Sequence, residues 1–164
     1  MMQRRELFSS LASLLKSDLK EPSEEYLRPP YNHDTSLFLN ECHKCDAKCA
    51  TSCEEDIINI AADKTPYIIF SQSGCTYCDA CAKACEFGVL TLENKKLLSA
   101  KITIDQGKCF SWQGVMCFSC KDPCLEDAID FKAMFMPEIN NQCTSCGFCI
   151  GRCPASAIKI EVIT

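Results

Sequence analysis

Residues 143–154 read CTSCGFCIGRCP, and residues 75–85 read CTYCDACAKAC. Both space their cysteines C-x2-C-x2-C-x3-C, and the former adds Pro154 directly after its last cysteine. A cubane iron–sulfur cluster needs four thiolates converging from four directions. Three come from a tight loop, in which cysteines three residues apart turn inward together, and the fourth arrives from a distant point. This spacing is specific to that chemistry, and two copies in one chain strengthen the reading.

Working outward, two altered copies appear. Residues 42–53, CHKCDAKCATSC, space their cysteines by two, three and three residues. The third group, Cys109, Cys117, Cys120 and Cys124, holds seven residues, FSWQGVM, between its first two cysteines. The candidate ligands are therefore Cys42, Cys45, Cys49, Cys53, then Cys75, Cys78, Cys81, Cys85, then Cys109, Cys117, Cys120, Cys124, then Cys143, Cys146, Cys149, Cys153. The leading cysteines lie 33, 34 and 34 residues apart, a period that marks an internal repeat. Four [4Fe–4S] clusters is the expected load. In paired ferredoxin units the fourth cysteine serves the partner's cluster. If units one and two pair, Cys85 joins Cys42, Cys45 and Cys49, while Cys53 joins Cys75, Cys78 and Cys81. If units three and four pair, Cys153 joins Cys109, Cys117 and Cys120, while Cys124 joins Cys143, Cys146 and Cys149.

The repeat reaches beyond the cysteines. Five and seven residues past each group stand Ile58 and Ile60, Leu90 and Leu92, Ile129 and Phe131, and Ile158 and Ile160. Period-two apolar pairs predict a short strand leaving each group. Tyr67 to Phe70 and Ile102 to Ile104 predict strands entering the second and third groups. Each unit thus reads as strand, ligand loop with a short helix, strand. The expected fold class is α+β: two tandem bacterial dicluster ferredoxin-like units with short two-stranded sheets, over residues 42–104 and 105–164. Such units are too small to hold together by apolar burial alone, so the clusters are expected to be the main cross-links and the apo chain to be largely unfolded.

Ahead of them, residues 1–20 read as an amphipathic helix, with Leu7, Leu11, Leu14 and Phe8, Leu11, Leu15, Leu19 at helical spacing. Residues 21–41 carry Pro22, Pro29 and Pro30 and read as an extended arm, with Leu37 to Leu39 packing where the first unit begins. Arg4 and Arg5 resemble a twin-arginine signal, but the apolar stretch after them is short and broken by serines, and no small-x-small cleavage site follows. No apolar run approaches the ~20 residues of a membrane span.

Zinc sites and disulfides are the other readings of sixteen cysteines. Tetrahedral zinc sites favour two separated ligand pairs, which these tight groups do not offer. A disulfide scaffold needs an oxidising compartment and hence an export signal. The net charge of −5 falls to about −13 once sixteen thiolates and four oxidised cores of +2 are counted, which argues against nucleic acid and for a basic patch on another protein. His43 reads as a rim residue, His33 as solvated, Trp112 as a cover over a neighbouring cluster, and Glu54, Glu55 and Asp56 as a solvated face. There is no Gly-rich phosphate loop, no H-E-x-x-H and no nucleophile with a base, so no enzyme activity on a small molecule is expected.

Taken together, Arg4–Arg5, the Arg28-Pro29-Pro30-Tyr31 element, four runs at 34-residue intervals, the C-x7-C-x2-C-x3-C third run and the final proline resemble the NapF family. This is the ferredoxin-type [4Fe–4S] accessory protein of the bacterial periplasmic nitrate reductase system. The first run departs from that family, which has two residues where this chain has Asp46, Ala47 and Lys48. The resemblance implies a cytoplasmic protein that binds the catalytic subunit of periplasmic nitrate reductase, a molybdopterin enzyme with its own [4Fe–4S] cluster, and helps load or reduce that cluster before export. Leu7 to Leu19 and Arg28 to Tyr31 are the candidate docking surface, the alternative being that the N-terminal helix covers the ferredoxin core. The alternative function is a plain electron-transfer ferredoxin, or an iron–sulfur subunit of an anaerobic oxidoreductase.

Overall fold

A computed structural model describes residues 26–163. The expected N-terminal helix, and the arm up to residue 25, lie outside the described residues. Helix α1 (Ser36–Glu41) leads into the first cysteine run. Then come α2 (Lys48–Thr51), β1 (Ile58–Ile60), β2 (Pro66–Ile68), α3 (Ala80–Lys83), β3 (Ala100–Ile104), β4 (Ile129–Lys132), β5 (Met136–Ile139), α4 (Phe148–Arg152) and β6 (Ile158–Val162). The strands form three antiparallel two-stranded sheets, β1 with β2, β4 with β5, and β3 with β6. The architecture is ferredoxin-like α+β.

Alternation is clearest in β3, whereas β1 buries Ile58 and leaves Asn59 and Ile60 exposed. In β3, Ala100 and Ile102 are buried while Lys101 faces water, and Ile102 pairs with Ile160 across the sheet. Ile102 to Ile104, expected as a strand entering the third run, form part of β3 and pair with β6 beyond the fourth run. The strand predicted at Leu90 and Leu92 does not form. Leu90 is buried, whereas Leu92 is exposed and begins a 3-10 turn, Leu92–Asn94.

The arm explains that loss. By the symmetry of the fold, the segment after the second run should pair with the segment before the first, as β6 pairs with β3. That partner is Pro29-Pro30-Tyr31. Prolines lack the N–H a ladder needs, so no regular strand can zip up there. Pro29 and Pro30 offer carbonyls alone, and the Thr91 and Lys96 amides donate to the Tyr31 and Pro30 oxygens at 2.9 Å each. Leu27 likewise accepts from the Ile68 amide at 2.8 Å. Pro29, Pro30 and Tyr31 are fully buried. The Arg28–Tyr31 element therefore belongs to the core of the first half, which corrects its reading as a docking surface. Leu37 and Phe38 pack beneath it, but Leu39 points outward.

Two apolar cores result. The larger gathers Leu27, Tyr31, Phe38, Ile57, Phe70, Leu90 and their neighbours. The smaller buries only Ile102, Ile129 and Ile158, with Cys120 and Cys149. Three isoleucines offer ~6 kcal/mol of burial, far too little to order sixty residues on their own.

Candidate metal centres

The ligand loops are shaped by left-handed residues. Ala47, Asp79 and Gly147 adopt positive φ just before α2, α3 and α4. The chain then makes one helical turn, which swings Cys49, Cys81 and Cys149 toward their loop partners. A second mark repeats four times. Three residues after the last cysteine of each run stand Asp56, Gly88, Asp127 and Ser156, all with positive φ. The amides of Asp56, Asp127 and Ser156 donate back to the carbonyls of Cys53, Cys124 and Cys153 at 3.1–3.2 Å. This reversal sends the chain from cysteine into strand. The third run has no helical turn. Its insertion coils on itself, with Gln113 N–H to Cys109 O at 3.1 Å and Ser111 Oγ–H to Cys117 O at 2.8 Å.

Four cavities follow, each lined by four cysteines. Site 1 holds Cys42, Cys45, Cys49 and Cys85. Site 2 holds Cys53, Cys75, Cys78 and Cys81. Site 3 holds Cys109, Cys117, Cys120 and Cys153. Site 4 holds Cys124, Cys143, Cys146 and Cys149. In every case three cysteines come from one run and the fourth from the paired run. The four cavities are alike in free volume, about 20 Å³ each, so the long third run and the extra residue in the first leave their sites like the other two.

The donor set fits a cluster better than a lone ion. All sixteen cysteines are free thiols. Among the described residues no three His, Cys, Asp or Glu side chains converge closely enough to hold one metal ion. The thiols thus surround a space, as a multi-atom core requires, and leave it lined by apolar atoms. Burial pushes the Cys81 and Cys149 thiols up to about 12, with the crowded neighbouring thiols adding to the effect. Cys42, Cys49, Cys75 and Cys120 rise to about 11, again chiefly by burial. Four thiolates cannot share such a space unless a positive core offsets their charge. Backbone amides already point at three sulfurs. Leu90 N–H reaches Cys85 Sγ at 3.4 Å, and Ala128 and Ala157 reach Cys124 and Cys153 Sγ at 3.3 Å.

Charged side chains distinguish the sites, a feature the sequence reading missed. Lys64 lines site 1, and Arg28 lies near enough to Cys42 to favour its thiolate, more than Asp63 opposes it. Glu54, Glu55 and Asp79 line site 2. Glu54 and Asp56 are exposed, as expected of a solvated face, whereas Glu55 is half-buried and accepts from Ser73 Oγ. Glu126 lines site 4, and site 3 has no charged lining. Lys64 could have been suspected only from its place one turn of chain before a strand, so the signal was weak. His43 and His33 are exposed as expected, although Asn94 Nδ2 lies 3.0 Å from the His33 ring. Trp112 does not line a cavity. It is half-buried and donates to Pro137 O at 3.2 Å, while Phe110 and Pro137 line site 3.

No protein-family model matches the chain. Among curated proteins it is similar to the ferredoxin-type protein NapF of Escherichia coli K12, at 35% identity covering 84% of this chain and 85% of that one. NapF of Haemophilus influenzae shows 31% identity, covering 82% and 78%. This chain belongs to the NapF family. More distant similarity reaches the ferredoxin-type protein NapG of Haemophilus influenzae, at 28% identity over 84% of this chain and 58% of that one. As a NapF-family ferredoxin-type protein, the chain is an iron–sulfur protein. Among the described residues no helix is long and apolar enough to cross a membrane.

Proposed function

We propose that this NapF-family protein carries four [4Fe–4S] clusters, one in each four-cysteine cavity, on two tandem dicluster units. In the cytoplasm it binds the catalytic subunit of periplasmic nitrate reductase and helps mature it, by loading or reducing its [4Fe–4S] cluster before export. The observation that carries the reading is the gathering of sixteen cysteines into four equivalent, apolar-lined cavities in a NapF-family chain. When bound, the clusters supply one-electron redox capacity and exchangeable iron and sulfide. The protein's own residues do the rest. Its loops fix the thiolates, the burial of Val89, Leu90, Ala128 and Ala157 limits water, and the amides at Cys85, Cys124 and Cys153 steady the sulfur charge.

The test is to delete the gene and purify the nitrate reductase catalytic subunit. Loss of its cluster iron and specific activity is expected. Unchanged iron and activity refute maturation. Active enzyme with impaired electron delivery would instead favour a plain electron carrier.

A further inference from the structure

The two halves of the chain meet along several contacts, the Ile163 amide to the Ser99 oxygen and Ile160 and Val162 against the first core among them, and one further contact joins two candidate sites. The Cys75 amide donates to the Cys146 carbonyl at 2.7 Å. Cys75 belongs to site 2 and Cys146 to site 4. A path from one sulfur to the other thus runs through covalent bonds and a single short hydrogen bond. Among the described residues no backbone hydrogen bond links the first run to the third or fourth, or the second to the third.

The contact is built to stay close. Tyr77 Oη–H donates to Thr144 O at 2.6 Å and accepts from Leu98 N–H at 3.2 Å. Ser145 Oγ–H reaches Ala100 O at 2.6 Å. Three glycines allow the approach. A Cβ on Gly74 would meet Phe148 N at 2.5 Å, one on Gly151 would meet Ser71 O at 2.8 Å, and one on Gly147 would fall inside the Phe70 ring. Ser145 and Phe70 are buried within the seam. A contact needed only to hold two halves together would not require backbone to touch backbone at the ligands themselves.

We propose that this seam makes the four sites one electron line in the order 1, 2, 4, 3, with sites 2 and 4 as its middle. The inference rests on the four-cluster reading above. Each passage across the seam moves one electron from the Cys75 side to the Cys146 side or back. One side is oxidised by one, the other reduced by one, and no bond or proton is exchanged. Sites 1 and 3 are then the two ends where external partners give or take electrons, and a partner at either end reaches all four sites.

The test uses anaerobically loaded, dithionite-reduced full-length protein and EPR. One variant keeps sites 2 and 4 (Cys42→Ala, Cys45→Ala, Cys117→Ala, Cys120→Ala). Another keeps sites 1 and 3 (Cys75→Ala, Cys78→Ala, Cys143→Ala, Cys146→Ala). The first should show spectra split and broadened by spin–spin interaction, the second two isolated signals, each with about eight irons. Isolated signals in the first, or interaction in the second, overturn the line. Should either variant fail to load, Gly151→Val in the otherwise native chain serves. It should keep about sixteen irons while losing the interaction between halves, and an unchanged interaction refutes the proposal. A native protein well short of sixteen irons sinks the four-cluster reading and the line with it, whereas full iron without coupling sinks the line alone.

Discussion

The crossed arrangement of cysteines makes opposite predictions for two pairs of double variants. Cys42 and Cys85 line one cavity although 43 residues apart, whereas Cys42 and Cys53 share a run but line different cavities. Each site holds four irons when filled. Cys42→Ala alone should lower the loaded protein from about sixteen irons to about twelve. Adding Cys85→Ala removes a ligand from the same, already vacated site, so the count should stay near twelve. Adding Cys53→Ala instead empties site 2 as well, and the count should fall to about eight. The two single losses are thus fully non-additive in the first pair and additive in the second, as expected for residues acting as one unit or as two. The assay is iron and sulfide analysis after anaerobic reconstitution, with EPR to see which signal disappears. About eight irons for the Cys42/Cys85 pair with about twelve for Cys42/Cys53 means that each run closes its own cluster, and the pairing of cavities described above is wrong.

Charge placement predicts an ordering of potentials, because positive neighbours favour the reduced cluster and negative ones oppose it. Lys64→Gln should lower the midpoint of the site 1 signal by no more than about 59 mV, a tenfold change for one electron, since Lys64 is exposed and screened. Glu54→Gln should raise that of site 2, and a potentiometric EPR titration in which neither moves refutes the assignment. Tyr31→Ala should cost about 3–5 kcal/mol, as for other buried aromatics, and Tyr31→Phe about 1 kcal/mol, since Asp79 keeps its 2.7 Å bond to Lys95 when the Tyr31 hydroxyl is gone. Comparison of urea midpoints for the loaded proteins checks this, and equal effects would mean that the arm is held by its hydroxyl rather than by its packing. Removal of iron by a chelator should abolish structure in residues 100–163 before residues 26–99, because the second half buries so few aliphatic side chains. Hydrogen exchange would report the order, and uniform loss contradicts it.

Much of this protein could be read from its sequence. The C-x2-C-x2-C-x3-C runs, their 33- and 34-residue period and the apolar pairs after each run follow from local chemistry, because ligand spacing and strand alternation are properties of neighbours along the chain. The same holds for membership of the NapF family, which rests on motifs and overall similarity. The arm was misjudged for a reason equally physical. Arg-Pro-Pro-Tyr is polar and proline-rich, which reads as a surface linker, and only the fold reveals that Thr91 and Lys96 need its carbonyls and that Tyr31 fills the first core. The missing strand after the second run has the same cause, since Pro29 and Pro30 leave two amides out of its would-be partner. The crossed sets of cysteines expected of paired units are the sets that line the four cavities, whereas tertiary structure alone decided which acidic and basic side chains look into each cavity, and where the halves touch. Those are relations between residues tens of positions apart. No local spacing encodes that Cys75 meets Cys146, because that contact exists only once Gly74, Gly147 and Gly151 let two loops close on each other.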